Sequence, residues 1–291
     1  MLTKSSKIGF VGIGVMGKSM AYNLKKAGYS INIYTRTKSK AEDLIQDGAV
    51  WKRTIKDLAM DSDVIITMVG YPSDVKQVYF GSEGIIENAK ANSYVIDMTT
   101  SSPSLAIEIY ENAAKKDVQA LDAPVSGGDI GAKNKTLAIM VGGEQKAFDE
   151  LLPIFQAMGE NIKLQGEAGA GQYTKLANQI TIASNMVGVC EAIAFSRKAG
   201  LDPERVLESI STGAAASFSL SKLAPRMLYE DFAPGFYVKH FIKDMTIALE
   251  SAKELGLSTP GLELSLNLYK ELAEKGEEDS GTQALIKLFE Q

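Results

Sequence analysis

Apolar residues in the first 165 positions fall into short runs, separated by stretches where they recur every three or four positions. Residues 7–11, Lys-Ile-Gly-Phe-Val, read as a short buried strand. From Met16 to Ala27 the apolar positions Met16, Met20, Leu24 and Ala27 keep helical spacing, and Gly28 is a natural stop. Residues 30–34 alternate like a strand, which completes a compact strand–helix–strand unit. Further apolar, β-branched runs at 63–69, 94–96, 118–121, 136–141 and 162–164 predict strands, with helices expected over 103–115 and 144–158. Near-continuous apolar strands alternating with helices imply a parallel sheet covered on both faces.

After Gly171 the strand signals nearly vanish. The spacing predicts one long helix over 173–199, ended by Gly200, and further helices over 203–211, 237–255, 260–273 and 282–290. The glycine-rich segment 166–171 is the expected boundary, dividing an α/β domain over 1–166 from an all-α domain over 167–291. The 291 residues are 45% apolar and 23% charged, as in ordinary folded chains. No window approaches ~18 uninterrupted apolar residues, so no membrane span is expected. The six residues before the first strand leave no room for a signal peptide, which makes the cytoplasm the expected compartment. The single cysteine, Cys190, excludes an internal disulfide and any cysteine-based metal cluster, and the single histidine, His240, excludes mechanisms that need two. A net charge of −5 provides no electrostatic footprint for nucleic acid. Yet residues 1–41 contain no Asp or Glu, while holding Lys4, Lys7, Lys18, Lys25, Lys26, Arg36, Lys38 and Lys40. This imbalance suggests a local anion site, although solvated surface lysines would produce the same pattern.

A candidate for that site is the run Gly12-Ile13-Gly14-Val15-Met16-Gly17, which follows the first strand and opens the first helix. It matches the dinucleotide-binding spacing: Gly12 for a tight turn, Gly14 for close approach of backbone to a pyrophosphate, Gly17 for helix-on-strand packing. The helix N-terminus then offers N–H groups to phosphate oxygens. The same residues, continued through Lys18 and Ser19, also fit a triphosphate-binding loop, with Ser19 and Asp97 as magnesium ligands. The short helix leading straight into a second strand favours the dinucleotide. The end of that second strand, where an NAD site usually places an acid, reads Tyr34-Thr35-Arg36-Thr37. Arg36 can pair with a 2′-phosphate, Thr35 and Thr37 can donate to it, and Lys40 adds charge, so NADP(H) is preferred. If Arg36 merely stacks on adenine, NAD(H) binds as well.

Hydride transfer to a carbonyl needs a proton donor beside the nascent alkoxide. His240, flanked by aromatics, fits packing better than catalysis. Lys175 is the stronger candidate: it lies near the start of the long helix and shares a face with Asn178 at i, i+3. The positive helix end and burial beside a cofactor would both disfavour its ammonium form. In Leu121-Asp-Ala-Pro-Val-Ser-Gly-Gly128, Ser126 with the backbone of Gly127 and Gly128 would make a carboxylate-binding nest, although a plain turn has the same composition.

Four motifs in order resemble those of the β-hydroxyacid dehydrogenase family, over Lys7 to the C-terminus: Gly12-x-Gly14-x-Met16-Gly17, residues 122–128, Gly171-x-x-x-Lys175-Leu176-x-Asn178, and Lys243-Asp244. The family includes 3-hydroxyisobutyrate dehydrogenases, tartronate semialdehyde reductases and glyoxylate/succinic semialdehyde reductases, and shares the 6-phosphogluconate dehydrogenase-type fold. The resemblance removes the triphosphatase reading. It implies a Rossmann-like doubly wound sheet followed by an all-α domain, joined through a long interdomain helix, in a homodimer or homotetramer. It implies Lys175 as general acid/base, and Ser126, Gly127, Gly128 and Asn178 as holders of a small carboxylate substrate. Cofactor contacts are implied at Val69 and Gly70 along the pyrophosphate and nicotinamide path, and at Thr100 and Lys243 near the nicotinamide. No metal is expected, since Lys175 supplies the polarisation. Thr35 replaces the Asn that the family often has before the arginine, and members with Arg and Thr there tend to use NADPH. Gln179 stands where many members repeat Asn after Asn178. The implied reaction is reversible oxidation of a short 3-hydroxy acid to its semialdehyde or keto acid. A non-catalytic dinucleotide sensor would keep the glycine loop and could dispense with Lys175; imine-type reductases share the fold but usually lack this lysine.

Overall fold

The computed structural model describes residues 2–290, which fall into two compact units that divide between Lys175 and Leu176. The first unit is built on nine strands: β1 Lys7–Val11, β2 Ser30–Tyr34, β3 Val50–Trp51, β4 Val64–Thr67, β5 Tyr94–Asp97, β6 Gln119–Asp122, β7 Val125–Ser126, β8 Leu137–Gly142 and β9 Gly159–Gly166. They pair in the order β3-β2-β1-β4-β5-β6-β8-β7, with β9 on β8. Strands β1 to β6 run parallel, as their apolar runs imply. Side-chain alternation sends Ile8, Phe10, Val64, Ile66 and Ile96 into one core layer and Val11, Ile65 and Val95 into another. Helices cover both faces. Val15–Lys26 buries Gly17, Met20, Ala21 and Leu24, while Pro72–Phe80 buries Val75, Val78 and Tyr79.

The sheet is not parallel throughout. Strand β8 runs antiparallel to β6 and β7, and β9 follows β8 in direction. The reason lies in the connection from β7, whose helix Gly128–Asn134 has 7 residues. A parallel return needs a crossover of roughly a dozen residues or more, so this chain turns back instead. The acid-free opening is also less open than its composition suggests. Lys18 pairs with Asp43, Lys25 with Asp47 and Lys7 with Asp61, at 2.8, 2.8 and 2.6 Å. Carboxylates absent from the first 41 positions arrive from helices and turns just beyond.

Helix Ala170–Lys198, 29 residues long, starts in the first unit and continues into the second. The second unit is helical, with Pro203–Ile210, Val238–Glu254 and Pro260–Leu272 as its main further helices. Its core gathers Ala183, Met186, Cys190 and Ile193 from the long helix with Phe241, Met245, Leu266 and Tyr269. The last predicted helix is a 3-10 segment, Thr282–Leu288, in which Thr282 to Ile286 are all buried in succession. Five consecutive buried side chains cannot share one stripe of an α-helix.

Candidate active site

Because β1, β2, β4 and β5 are parallel, the segments after them emerge at one edge of the sheet, where α/β folds bind ligands. The Gly12–Gly17 loop sits between its neighbours: Gly12 N–H donates to Tyr34 O, and Met68 N–H to Val11 O, at 3.0 and 2.9 Å. Gly12 has φ +100°, and a Cβ there would lie 2.1 Å from Met68 O. A Cβ at Gly17 would lie 2.0 Å from Gly12 O, so the helix packs as closely as only glycine permits. At Gly14 a Cβ would meet nothing within 4 Å. The helix it opens has no side-chain cap and no acid in its first turn. An uncapped helix start behind open space at Gly14 fits a dinucleotide pyrophosphate. Ile13 is buried beneath the loop, Met16 is half-buried and Val15 is exposed.

At the end of β2, Arg36 is exposed and its Nη1 lies 3.3 Å from Asp74 Oδ1. Asp74 is the third residue of helix Pro72–Phe80, and its Oδ2 accepts from Tyr71 N–H at 3.2 Å. Thr35 is half-buried, and Thr37 and Lys40 are exposed on the same turn. Val69, Gly70 and Thr100 are half-buried after β4 and β5, and Val69 N–H donates to Thr99 Oγ1 at 3.0 Å. Immediately after Ser126 closes β7, Gly127 and Gly128 take φ of +128° and +63°.

Two buried carboxylates end adjacent strands in register, Asp97 on β5 and Asp122 on β6. Asp97 Oδ1 accepts from Thr67 Oγ1 at 2.8 Å and Thr99 N–H at 3.1 Å. Burial, with the neighbouring Asp122 charge adding to it, still pushes Asp97 up to about 6. Asp122 accepts two backbone N–H groups at the start of the long helix, Gly169 on Oδ1 and Gln172 on Oδ2, both at 2.7 Å. Burial raises its carboxyl, and these donors pull it back. Lys175, one turn further on, is 7% exposed.

In the second unit the long helix and helix Val238–Glu254 bring Asn178 and Lys243 into one polar chain. Asn178 Nδ2 donates to Gln179 Oε1 at 2.8 Å, Gln179 Nε2 donates to Asp244 Oδ2 at 2.6 Å, and Lys243 Nζ lies 2.9 Å from Asp244 Oδ1. A carboxylate only accepts, so Asp244 dictates the orientation of the Gln179 amide, which dictates that of Asn178. Gln179 is long enough to reach both neighbours. His240 stacks edge-on against Tyr237, and burial lowers its pKa, as suits a packing role. Among the described residues no group of three or more His, Cys, Asp or Glu could hold a metal ion, and no helix is long and apolar enough to cross a membrane.

The sequence pattern did not single out Asp74, Gln172 or the linking role of Gln179, and it offered Asp97 only as a magnesium ligand of a triphosphate loop. Only Asp74 had a local signal, an acid two residues after Pro72 at a helix start.

Comparison with known proteins places these features. Residues 7–166 match the NAD binding domain of 6-phosphogluconate dehydrogenase, and residues 169–289 match the NAD-binding domain of NADP-dependent 3-hydroxyisobutyrate dehydrogenase. An uncharacterized oxidoreductase of Bacillus subtilis (strain 168) is 64% identical over 97% of this chain and 98% of its own. The 2-hydroxy-3-oxopropionate reductase of Escherichia coli (strain K12) is 38% identical over 98% of this chain and 97% of its own. The structure of Mycobacterium tuberculosis 3-hydroxyisobutyrate dehydrogenase with L-serine superposes with a TM-score of 0.92 at 27% identity, covering 99% of this chain and 100% of that one. With its glycine cradle, its parallel sheet and the helical unit that follows, the chain belongs to the 6-phosphogluconate and 3-hydroxyisobutyrate dehydrogenase family of NAD(P)-dependent oxidoreductases.

Proposed function

We propose that this enzyme uses NADP(H) to interconvert a short 3-hydroxy acid and its semialdehyde, with Lys175 as the proton donor and acceptor. The observation that carries the reading is a lysine only 7% exposed, one turn beyond the start of the long helix that Asp122 and Gln172 hold against the ends of the parallel strands. The loop Gly12–Gly17 would hold the pyrophosphate by backbone N–H groups, and Arg36, with Thr35, Thr37 and Lys40, the 2′-phosphate. Val69, Gly70, Thr100 and Lys243 would line the rest of the cofactor. When bound, the nicotinamide supplies or receives the hydride. In the oxidising direction Lys175 Nζ takes the hydroxyl proton; in the reducing direction it returns that proton to the carbonyl oxygen. Ser126 and the turned backbone of Gly127 and Gly128 hold the substrate carboxylate, with Asn178 donating to its oxygens. Relatives named for 2-hydroxy-3-oxopropionate, 2-(hydroxymethyl)glutarate and 3-hydroxyisobutyrate, the last solved with L-serine, support a small acid with a 3-hydroxyl or 3-oxo group. We place the enzyme in the cytoplasm as a homodimer or homotetramer.

The test is a panel of glyoxylate, succinic semialdehyde, methylmalonate semialdehyde and tartronate semialdehyde, read by nicotinamide absorbance with NADPH and with NADH. At least one aldehyde should turn over with NADPH, and Lys175→Ala should lower kcat by about 100-fold or more while NADPH still binds. Full turnover in Lys175→Ala would remove the lysine from the reaction. Loss of NADPH binding in the wild type would remove the cofactor reading.

A further inference from the structure

We propose that Asp122 and Gln172 are positioning residues for Lys175, clamping the first turn of the long helix onto the ends of β5 and β6. The proposal rests on the role given to Lys175 above. A helix start has four backbone N–H groups without helical partners. Here two N–H groups of that end, those of Gly169 and Gln172, meet a carboxylate from a different element. Asp122, 3% exposed, spends one oxygen on Gly169 N–H and the other on Gln172 N–H. Gln172, 0% exposed, continues the clamp with its side chain: Oε1 accepts from Ser101 N–H at 2.9 Å and Nε2 donates to Thr99 O at 2.8 Å.

The fit is tight enough that two glycines are required. A Cβ on Gly171 would lie 2.4 Å from Met140 O and 2.7 Å from Asp122 O. A Cβ on Gly142 would lie 2.4 Å from Asp122 Oδ1 and 2.8 Å from Gly171 N. The helix therefore enters at one depth, and four charge-assisted or buried polar bonds hold it there. Lys175 lies three residues beyond Gln172, on the same side of the helix, so the clamp sets where its side chain starts. The same bonds tie it to the β5 loop that carries Thr100. A displacement near 1 Å at a reacting group can cost about 100-fold in rate, so this clamp acts on kcat.

The experiment compares Asp122→Asn, Gln172→Met and Lys175→Ala in the full-length enzyme. Active sites are counted by NADPH titration of Trp51 fluorescence, so that kcat refers to folded, cofactor-binding molecules. Asp122→Asn keeps the shape but replaces one acceptor by an NH2 group facing a backbone N–H. Gln172→Met keeps the bulk and removes both side-chain bonds. We expect each to lower kcat at least tenfold, with the KM for aldehyde and the Kd for NADPH changed less than threefold. A general loss of structure would instead lower the number of titrated sites and leave kcat per site alone, and that result overturns the proposal. So does an unchanged kcat in Gln172→Met, even where Asp122→Asn fails to fold. Lys175→Ala separates the two readings: if it abolishes turnover while both clamp variants keep wild-type kcat, the clamp fails and the lysine stands. If it retains turnover, both fall.

Discussion

Replacing Asp97 by Asn should stabilise the first unit at neutral pH and do little in acid. Asp97 is fully buried, and its carboxyl titrates at about 6 against an ordinary 3.8, chiefly because burial disfavours the charge. The hydroxyl of Thr67 and the N–H of Thr99 stabilise the anion, but not enough to offset that cost. The folded protein thus holds this proton more tightly than the unfolded chain. The stability it contributes is complete below pH 3.8 and is lost as pH rises through 6. The difference of about two units corresponds to about 3 kcal/mol, or roughly 150-fold in the unfolding equilibrium. An asparagine can direct its carbonyl oxygen to Thr67 and Thr99 and never ionises. Urea unfolding across pH, followed by the fluorescence of Trp51, is the assay. Trp51 is the one tryptophan of the sequence and lies in β3 of the same unit. Subtracting the two curves cancels other titrating groups, and the stability gap should widen by about 2.5 kcal/mol between pH 4 and pH 7. A gap that stays flat with pH, or narrows toward neutrality, refutes the account of this carboxylate.

Two further substitutions address the cofactor. Arg36→Asp sets a second acid against Asp74, which now lies 3.3 Å from the guanidinium. It should lower kcat/KM with NADPH relative to NADH by at least about tenfold, the worth of one charge-assisted hydrogen bond, in parallel assays with both nucleotides. Gly14→Ala adds a methyl group that meets no protein atom within 4 Å, at a φ of −88° open to any residue. Its unfolding free energy should stay within about 0.5 kcal/mol of wild type, while its Kd for NADPH, by fluorescence titration, rises tenfold or more. An equal affinity would mean that the pyrophosphate lies elsewhere.

Much of the fold was legible because its signals are local. The run 30–34 and the observed β2 coincide, and Met20 and Leu24 are buried as their helical spacing implies. The glycine loop was readable because each of its three glycines answers a separate local demand. The short helices Ile55–Met60, Pro72–Phe80 and Ile85–Asn88 were missed, since each has only two or three buried positions and no periodic run emerges. The pair strand Val125–Ser126 was hidden inside a motif read for its chemistry.

Chain order and period alone determined that this would be a parallel sheet with a nucleotide-type turn, followed by helices carrying Lys175 and Asn178 on a shared face. Both follow from geometry within a few residues, where backbone sterics and side-chain alternation leave little choice. Tertiary structure decided the rest: the reversal of β8, the meeting of Arg36 with Asp74, and the bonds from Asp122 to residues 47 and 50 positions away. A carboxylate's partners depend on which backbone N–H groups the packed core leaves without a mate nearby. That depends on how the sheet and helices pack around it, and so no pattern within a window of sequence contains it.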